Sequence, residues 1–193
     1  MTMRPFHPLL GASFGLLSCV SFLVLYGTAV AIDPGYDFFE DYLSDLGVGP
    51  GAWAFNSAVI SAGILVSLFA VLGIGQLLPR GGLSAAGVSL LAASGILLVS
   101  IGVFTEDFGG LHTTVSFAFF VALEAAMVTV TFALHRAKAL GRTGWSISAI
   151  VSLLGIGVGI SGTGPASETV AVLLALSWGS TMSSIGIWLV SGH

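Results

Sequence analysis

The sequence predicts an all-α, polytopic membrane protein. It should form a single domain, residues 1–193, built as a bundle of six transmembrane helices with a short amphipathic interfacial helix in the first outer loop. Three observations predict this. The chain of 193 residues is 55% apolar and only 7% charged, and its mean hydropathy of +1.05 lies outside the range of soluble domains. Clusters of Gly and Pro cut it into six apolar runs, each near the ~20 residues that a span requires. The charges also segregate. Arg4, Arg80, Arg136, Lys138 and Arg142 fall in one set of connections, and Asp33, Asp37, Glu40, Asp41, Asp45, Glu106, Asp107 and Glu168 fall in the other. Short loops rich in Lys and Arg stay cytoplasmic. Both termini are therefore expected in the cytoplasm of a plasma-membrane protein, with the acidic loops outside.

The spans are expected at about 8–32, 52–78, 83–105, 111–135, 144–161 and 168–190. The first follows Arg4, and Ala29-Val30-Ala31 imitates a signal-peptidase site. Its apolar run is well beyond the ~7–15 residues of a signal h-region, so it reads as a retained helix. Cys19 lies within it as the only cysteine, which excludes an intramolecular disulfide and a thiolate metal site. In the first outer loop Phe38, Phe39, Tyr42, Leu43 and Leu46 share one helical face and Asp37, Glu40, Asp41, Ser44 and Asp45 the other. That pattern predicts two to three turns of interfacial helix, capped by Asp33 or Asp37.

Asp33-Pro34-Gly35, Gly49-Pro50-Gly51, Pro79-Arg80-Gly81-Gly82, Gly109-Gly110 and Gly162-Thr163-Gly164-Pro165 punctuate the spans. Trp53, Trp145 and Trp188 fall near helix ends, where an aromatic belt belongs. Gly11-x-x-x-Gly15, Gly155-x-x-x-Gly159 and Gly179-x-x-x-Ser183 suit close helix packing, within the chain or in a homo-oligomer. There is no internal repeat of the kind many transporters carry. The net charge of −4 and the lack of a basic patch exclude nucleic acid as a partner. Acidic loops in a chain with one Lys point toward a haloarchaeal, high-salt setting, where salt screens facing carboxylates.

Two candidate sites stand out. At the outer face, Glu106 and Asp107 precede a tight Gly-Gly turn, and His112 opens the fourth span. Asp45, Asp107 and His112 are of the types that ligate a divalent metal, the one cofactor the sequence suggests. The alternative is a solvated acidic surface. Ser44 beside His112, oriented by Asp45 or Asp107, has the elements of a nucleophilic site, but no nucleophile-elbow motif accompanies it. Within the membrane, the ninth acid, Glu124, falls near the middle of the fourth span. An ionised carboxylate there costs ~2.5–3.5 kcal/mol even by insertion scales, so it should be neutral or paired and should face the interior. Ser177, Ser180, Thr181 and Ser184 recur at helical spacing on the sixth span. With Ser94, Ser100, Asn56 and Tyr26 they would line a polar cavity around Glu124, or serve as packing seams. His135, next to Arg136, should snorkel at the cytoplasmic end.

The stretch Tyr42-Leu43-Ser44-Asp45-Leu46-Gly47, the pair Phe55-Asn56, and Phe104-Thr105-Glu106-Asp107 with His112 together resemble an uncharacterised prokaryotic membrane family, domain of unknown function 998. Its members carry a Ser-acidic-Leu-Gly element after the first helix, an Asn opening the second, and a Phe-x-x-Asp segment before a His. Asp45 stands where Glu is expected, and Thr105 where Pro is common. The layout is also similar to the broader Frag/DRAM/Sfk-type six-helix proteins, which include factors linked to lipid-anchor remodelling. The resemblance implies a six-helix bundle with important outer loops and supplies no reaction. The leading expectation is a non-catalytic protein that binds or organises membrane lipids or a membrane partner. A metal-assisted enzyme acting on lipid headgroups, and a small proton-coupled transporter using Glu124, are the alternatives.

Overall fold

A computed structural model describes residues 8–138, 141–162 and 164–191. Arg4, one of the five basic residues behind the orientation, and Thr163 of the last linker lie outside the described residues. Six helices are long and apolar enough to cross a membrane: α1 (Pro8–Ile32), α2 (Ala52–Leu77), α3 (Gly82–Val103), α4 (Gly110–Ala137), α5 (Gly141–Ser161) and α6 (Pro165–Val190). The expected spans differ from these by three residues at most; the fifth gains its missing turn at Gly141. Among the described residues there is no strand.

Each helix packs on its chain neighbours, and α6 returns to α1, so the six form a closed ring in sequence order. Alternating helix directions put Arg80, Arg136, Lys138 and Arg142 at one end and all the acidic connections at the other. Outward-facing Leu, Val, Ile and Phe dominate the sides, among them Val24, Ile96, Phe117, Leu153 and Ile160. Trp53 and Trp188 are exposed at opposite ends, and Trp145 meets His135 edge-on at 4.6 Å between ring centres.

With lipid as solvent, apolar burial does not drive one helix onto another; close backbone approach and interhelical hydrogen bonds do. Gly63 of α2 and Gly95 of α3 meet reciprocally: a Cβ on either would stand 2.5 or 2.6 Å from the other's carbonyl oxygen. Gly11 faces the Leu72 carbonyl of α2, and Gly15 faces the Phe69 ring. The Gly11-x-x-x-Gly15 motif is thus spent inside the chain. Over Phe69–Ile74 α2 widens into π geometry, which brings Phe69 and Ile74 into the core.

Hydroxyls join the remaining seams. Ser18 donates to Ala62 O at 3.2 Å and Ser67 to Ala92 O at 3.2 Å. Ser183 of α6 donates to Ala12 O and accepts from Leu16 N at 2.9 Å, closing the ring on α1. Between α4, α5 and α6 the indole Nε1–H of Trp178 donates to Ser148 Oγ at 2.7 Å. Thr131 Oγ1, 2.6 Å from Ser148 Oγ, gives its own proton to Met127 O, so the Ser148 proton points to Thr131.

Inside the ring is a cavity of about 90 Å³ whose walls are almost wholly apolar. Phe22, Phe69, Leu91, Phe119, Leu176 and Trp178 contribute, and five of the six helices reach it; α5 does not. The polar cavity expected around Glu124 is therefore absent from this position. Glu124 does not line it.

Candidate functional site

The first loop departs from expectation. The two-to-three-turn amphipathic helix does not form; a single 3-10 helix, Leu43–Gly47, stands in its place. The acids are the reason. Asp37 Oδ1 accepts from Phe39 N at 2.8 Å, Asp41 Oδ2 from Asp37 N at 2.7 Å and Asp45 Oδ2 from Tyr42 N at 2.8 Å. Aspartates that capture nearby backbone N–H groups favour turns over helix. Asp33 likewise takes Gly35 N at 3.2 Å, so it closes a turn and caps no helix. Phe38 and Phe39 remain exposed, whereas Leu43 and Leu46 are buried.

The short helix plugs the acidic end of the ring, and each of its anchors comes from a different element. Asn56 Nδ2, on α2, donates to Gly47 O at 2.9 Å. Ser44 Oγ donates to Glu106 Oε1 at 2.7 Å, from the 3-10 turn Glu106–Phe108. Leu43 N donates to Glu168 Oε2 at 2.8 Å, from the first turn of α6. Three carboxyl groups, those of Asp45, Glu106 and Glu168, therefore gather around one backbone turn, at an end of the molecule with no Lys or Arg in its connections. Burial, and the Asp45 carboxyl beside it, push Glu106 above its ordinary value; the Ser44 hydroxyl and His112 pull in the opposite direction.

His112 is buried, and its Nδ1 lies 2.7 Å from Phe104 O. A carbonyl can only accept, so Nδ1 carries a proton, and Nε2 lies 3.4 Å from Ser116 Oγ. The histidine thereby ties the end of α3 to the start of α4. Asp107 is exposed. The expected convergence of Asp45, Asp107 and His112 is corrected in its middle member: Glu106, one residue earlier, turns inward. Among the described residues no group of three His, Cys, Asp or Glu side chains is placed to hold a metal.

The intramembrane expectation also needs correction. Ser177 and Ser184 of α6 are exposed, and Ser177 Oγ and Ser180 Oγ bond back to their own helix, at Leu173 O and Ser177 O. The stripe of Ser177, Ser180, Thr181 and Ser184 does not face Glu124. The buried face of α6 carries Thr169, Trp178, Met182, Ser183 and Gly186 instead. A hydroxyl that bonds its own helix carries little penalty in lipid, so spacing alone could not tell the outer stripe from the inner one. Glu124 does face a neighbour, but on α5: its carboxyl lies against Gly155, where a Cβ would collide with Oε2. Its Oε1 is buried without a hydrogen-bond partner among the described residues.

Glu168 and the Ser148 and Ser152 pair on α5 were not singled out from the sequence. Trp178 held a signal for the first of that pair. An indole in mid-span, away from either interface, has an N–H that must find an acceptor.

The plug thus gathers Ser44, Asn56, Glu106 and His112, drawn from the three separated motifs. A family profile described as "Protein of unknown function (DUF998)" matches residues 16–191. The chain belongs to the DUF998 family. No curated protein and no solved structure matches it. The plug, and the ring it closes apart from the first eight residues of α1, fall within the matched segment.

Proposed function

We propose that this DUF998 protein is a non-catalytic lipid-binding protein of the plasma membrane, with both ends cytoplasmic and the acidic plug as its outer recognition face. The apolar interior cavity carries the reading. A cavity of this kind stays dry, because water needs polar partners that these walls lack. At about 90 Å³ it has room for the tip of an acyl or isoprenoid chain, about three water volumes. The plug supports the outer half of the reading: it offers Asp45, Glu106 and Glu168 toward a headgroup that brings positive charge or hydroxyl donors. The orientation rests on the basic residues gathered at the opposite end.

The test is lipid retention. Protein extracted in mild detergent and examined by native mass spectrometry should carry lipid of a restricted class. Ala175→Phe projects a ring into the cavity from α6. It should cut the bound fraction at least about fivefold, the effect of overfilling a packed space, while circular dichroism stays unchanged. Equal lipid in the two proteins, or none in the wild type, would sink the proposal.

A further inference from the structure

The seam between α4 and α5 carries groups that lipid binding in the ring does not use. Two pairs fix its antiparallel register: Thr131 with Ser148, and Glu124 with Gly155. Ser152 lies four residues from Ser148 and three from Gly155, on the same face of α5, so it sits one turn from the Glu124 carboxyl. Ser152 is 3% exposed, and its hydroxyl has no hydrogen-bond partner among the described residues. The buried Oε1 of Glu124 has none either. Two unpartnered oxygens thus lie in one seam, where the missing side chain of residue 155 makes room for the Glu124 carboxyl.

The charges around this gap are few. α3, which packs on α4 from the other side, carries no titratable side chain. α5 carries only Arg142, at its opposite end. On α4 itself the titratable neighbours are His112, His135 and Arg136, at the two helix ends. No fixed cation therefore offsets a carboxylate at Glu124, and bare charge at that depth is costly. Neutralisation has to come from a mobile cation.

We propose that Glu124 and Ser152 form an intramembrane site for a small monovalent cation, a proton or a sodium ion, in the α4–α5 seam. The carboxyl supplies the exchangeable charge, the serine hydroxyl supplies a second oxygen, and Gly155 supplies the space. The site is separate from the apolar cavity, so it stands whether or not that cavity holds lipid.

The experiment uses a fluorescent hydrophobic carbodiimide on the full chain in nanodiscs. The reagent reacts with protonated carboxyls in apolar surroundings and not with carboxylates. Glu124 should label, and peptide mapping should place the adduct on α4. Labelling should fall as pH rises from 5 to 9, on the order of the full range over which a carboxyl in such a site exchanges. Sodium that protects at fixed pH identifies sodium as the exchanging ion; protection by pH alone identifies the proton. Either supports the site. Ser152→Ala should change the labelling rate at pH 7 by about fivefold, the effect of one lost hydrogen bond. Gly155→Ala, which displaces the carboxyl without removing it, should also alter the rate. Glu124→Gln should abolish the adduct while leaving helix content intact. Labelling that is absent, or that ignores pH, sodium and Ser152, would overturn the proposal and leave Glu124 as packing only.

Discussion

Ser148 is the residue on which the α4–α5–α6 corner depends, and Ser148→Ala tests it. The hydroxyl accepts the Trp178 indole N–H at 2.7 Å and donates to Thr131 Oγ1 at 2.6 Å. Trp178 is only 2% exposed, so its N–H has no access to water once the serine oxygen is gone. A stranded buried donor costs ~1–3 kcal/mol. Interhelical hydrogen bonds in a membrane average ~0.6 and reach ~1.7 kcal/mol, because the unfolded chain in lipid also finds partners. Thr131 keeps its bond to Met127 O and adds little. The expected loss is about 1.5 kcal/mol, near the upper end of that membrane range. Reversible unfolding in mixed dodecyl sulfate and maltoside micelles, followed by helical circular dichroism, measures it. A double-mutant cycle with Trp178→Phe separates the hydrogen bond from the lost packing, and should return a coupling of ~1 kcal/mol. A Ser148→Ala cost within ~0.3 kcal/mol of zero, or a coupling indistinguishable from zero, would refute the reasoning.

Three further outcomes are expected. Gly63→Ala and Gly95→Ala each place a Cβ against a carbonyl that cannot yield, so each should destabilise by about 2 kcal/mol in the same assay. Gly159→Ala, with open space around it, should be neutral or stabilising by up to ~1 kcal/mol; equal effects at all three would show that backbone approach is not what joins α2 to α3. Glu106 holds its proton more tightly folded than unfolded. Its contribution is fully present below its ordinary value of 4.5 and is lost as pH rises through the higher folded value. Thermal midpoints should therefore rise on acidification from pH 8 toward 5, and Glu106→Gln should flatten that slope; an unchanged slope would remove Glu106 as its source. For orientation, Asp41→Cys in a Cys19→Ala background should react with an impermeant thiol reagent outside intact cells, and Gly81→Cys should not; the reverse would invert the topology.

The helices were legible because lipid leaves a chain few choices: twenty apolar residues between breakers must satisfy their own backbone. The family motifs were legible as residues, though not as one cluster. Ser44, Asn56 and His112 lie far apart in sequence, and only the fold shows that the plug is what they share. Side-chain direction was the hard part. Asp107 and Glu106 are neighbours, and the reversal after α3 decides which turns inward. The α6 serines and Trp178 are interleaved on one helix, and hydroxyls that bond their own backbone hide the true inner face. The failed helix at 37–46 had a visible cause in retrospect. A segment with four acids among its first nine residues can satisfy its own N–H groups through side chains, and Asp37, Asp41 and Asp45 do so.

The closed ring has a consequence for how the protein is made. Every extensive seam but one joins helices adjacent in the chain, so each helix can dock on its predecessor as it leaves the ribosome and enters the bilayer. The exception is α6 on α1, sealed by the Ser183 hydroxyl on the α1 backbone. Until α6 arrives, α1 lacks that seam, the mouth plug lacks its Glu168 anchor, and the interior is open to lipid along one side. Arrival of α6 and closure of the ring are then a single event, and a chain stalled before α6 would present an open-sided bundle.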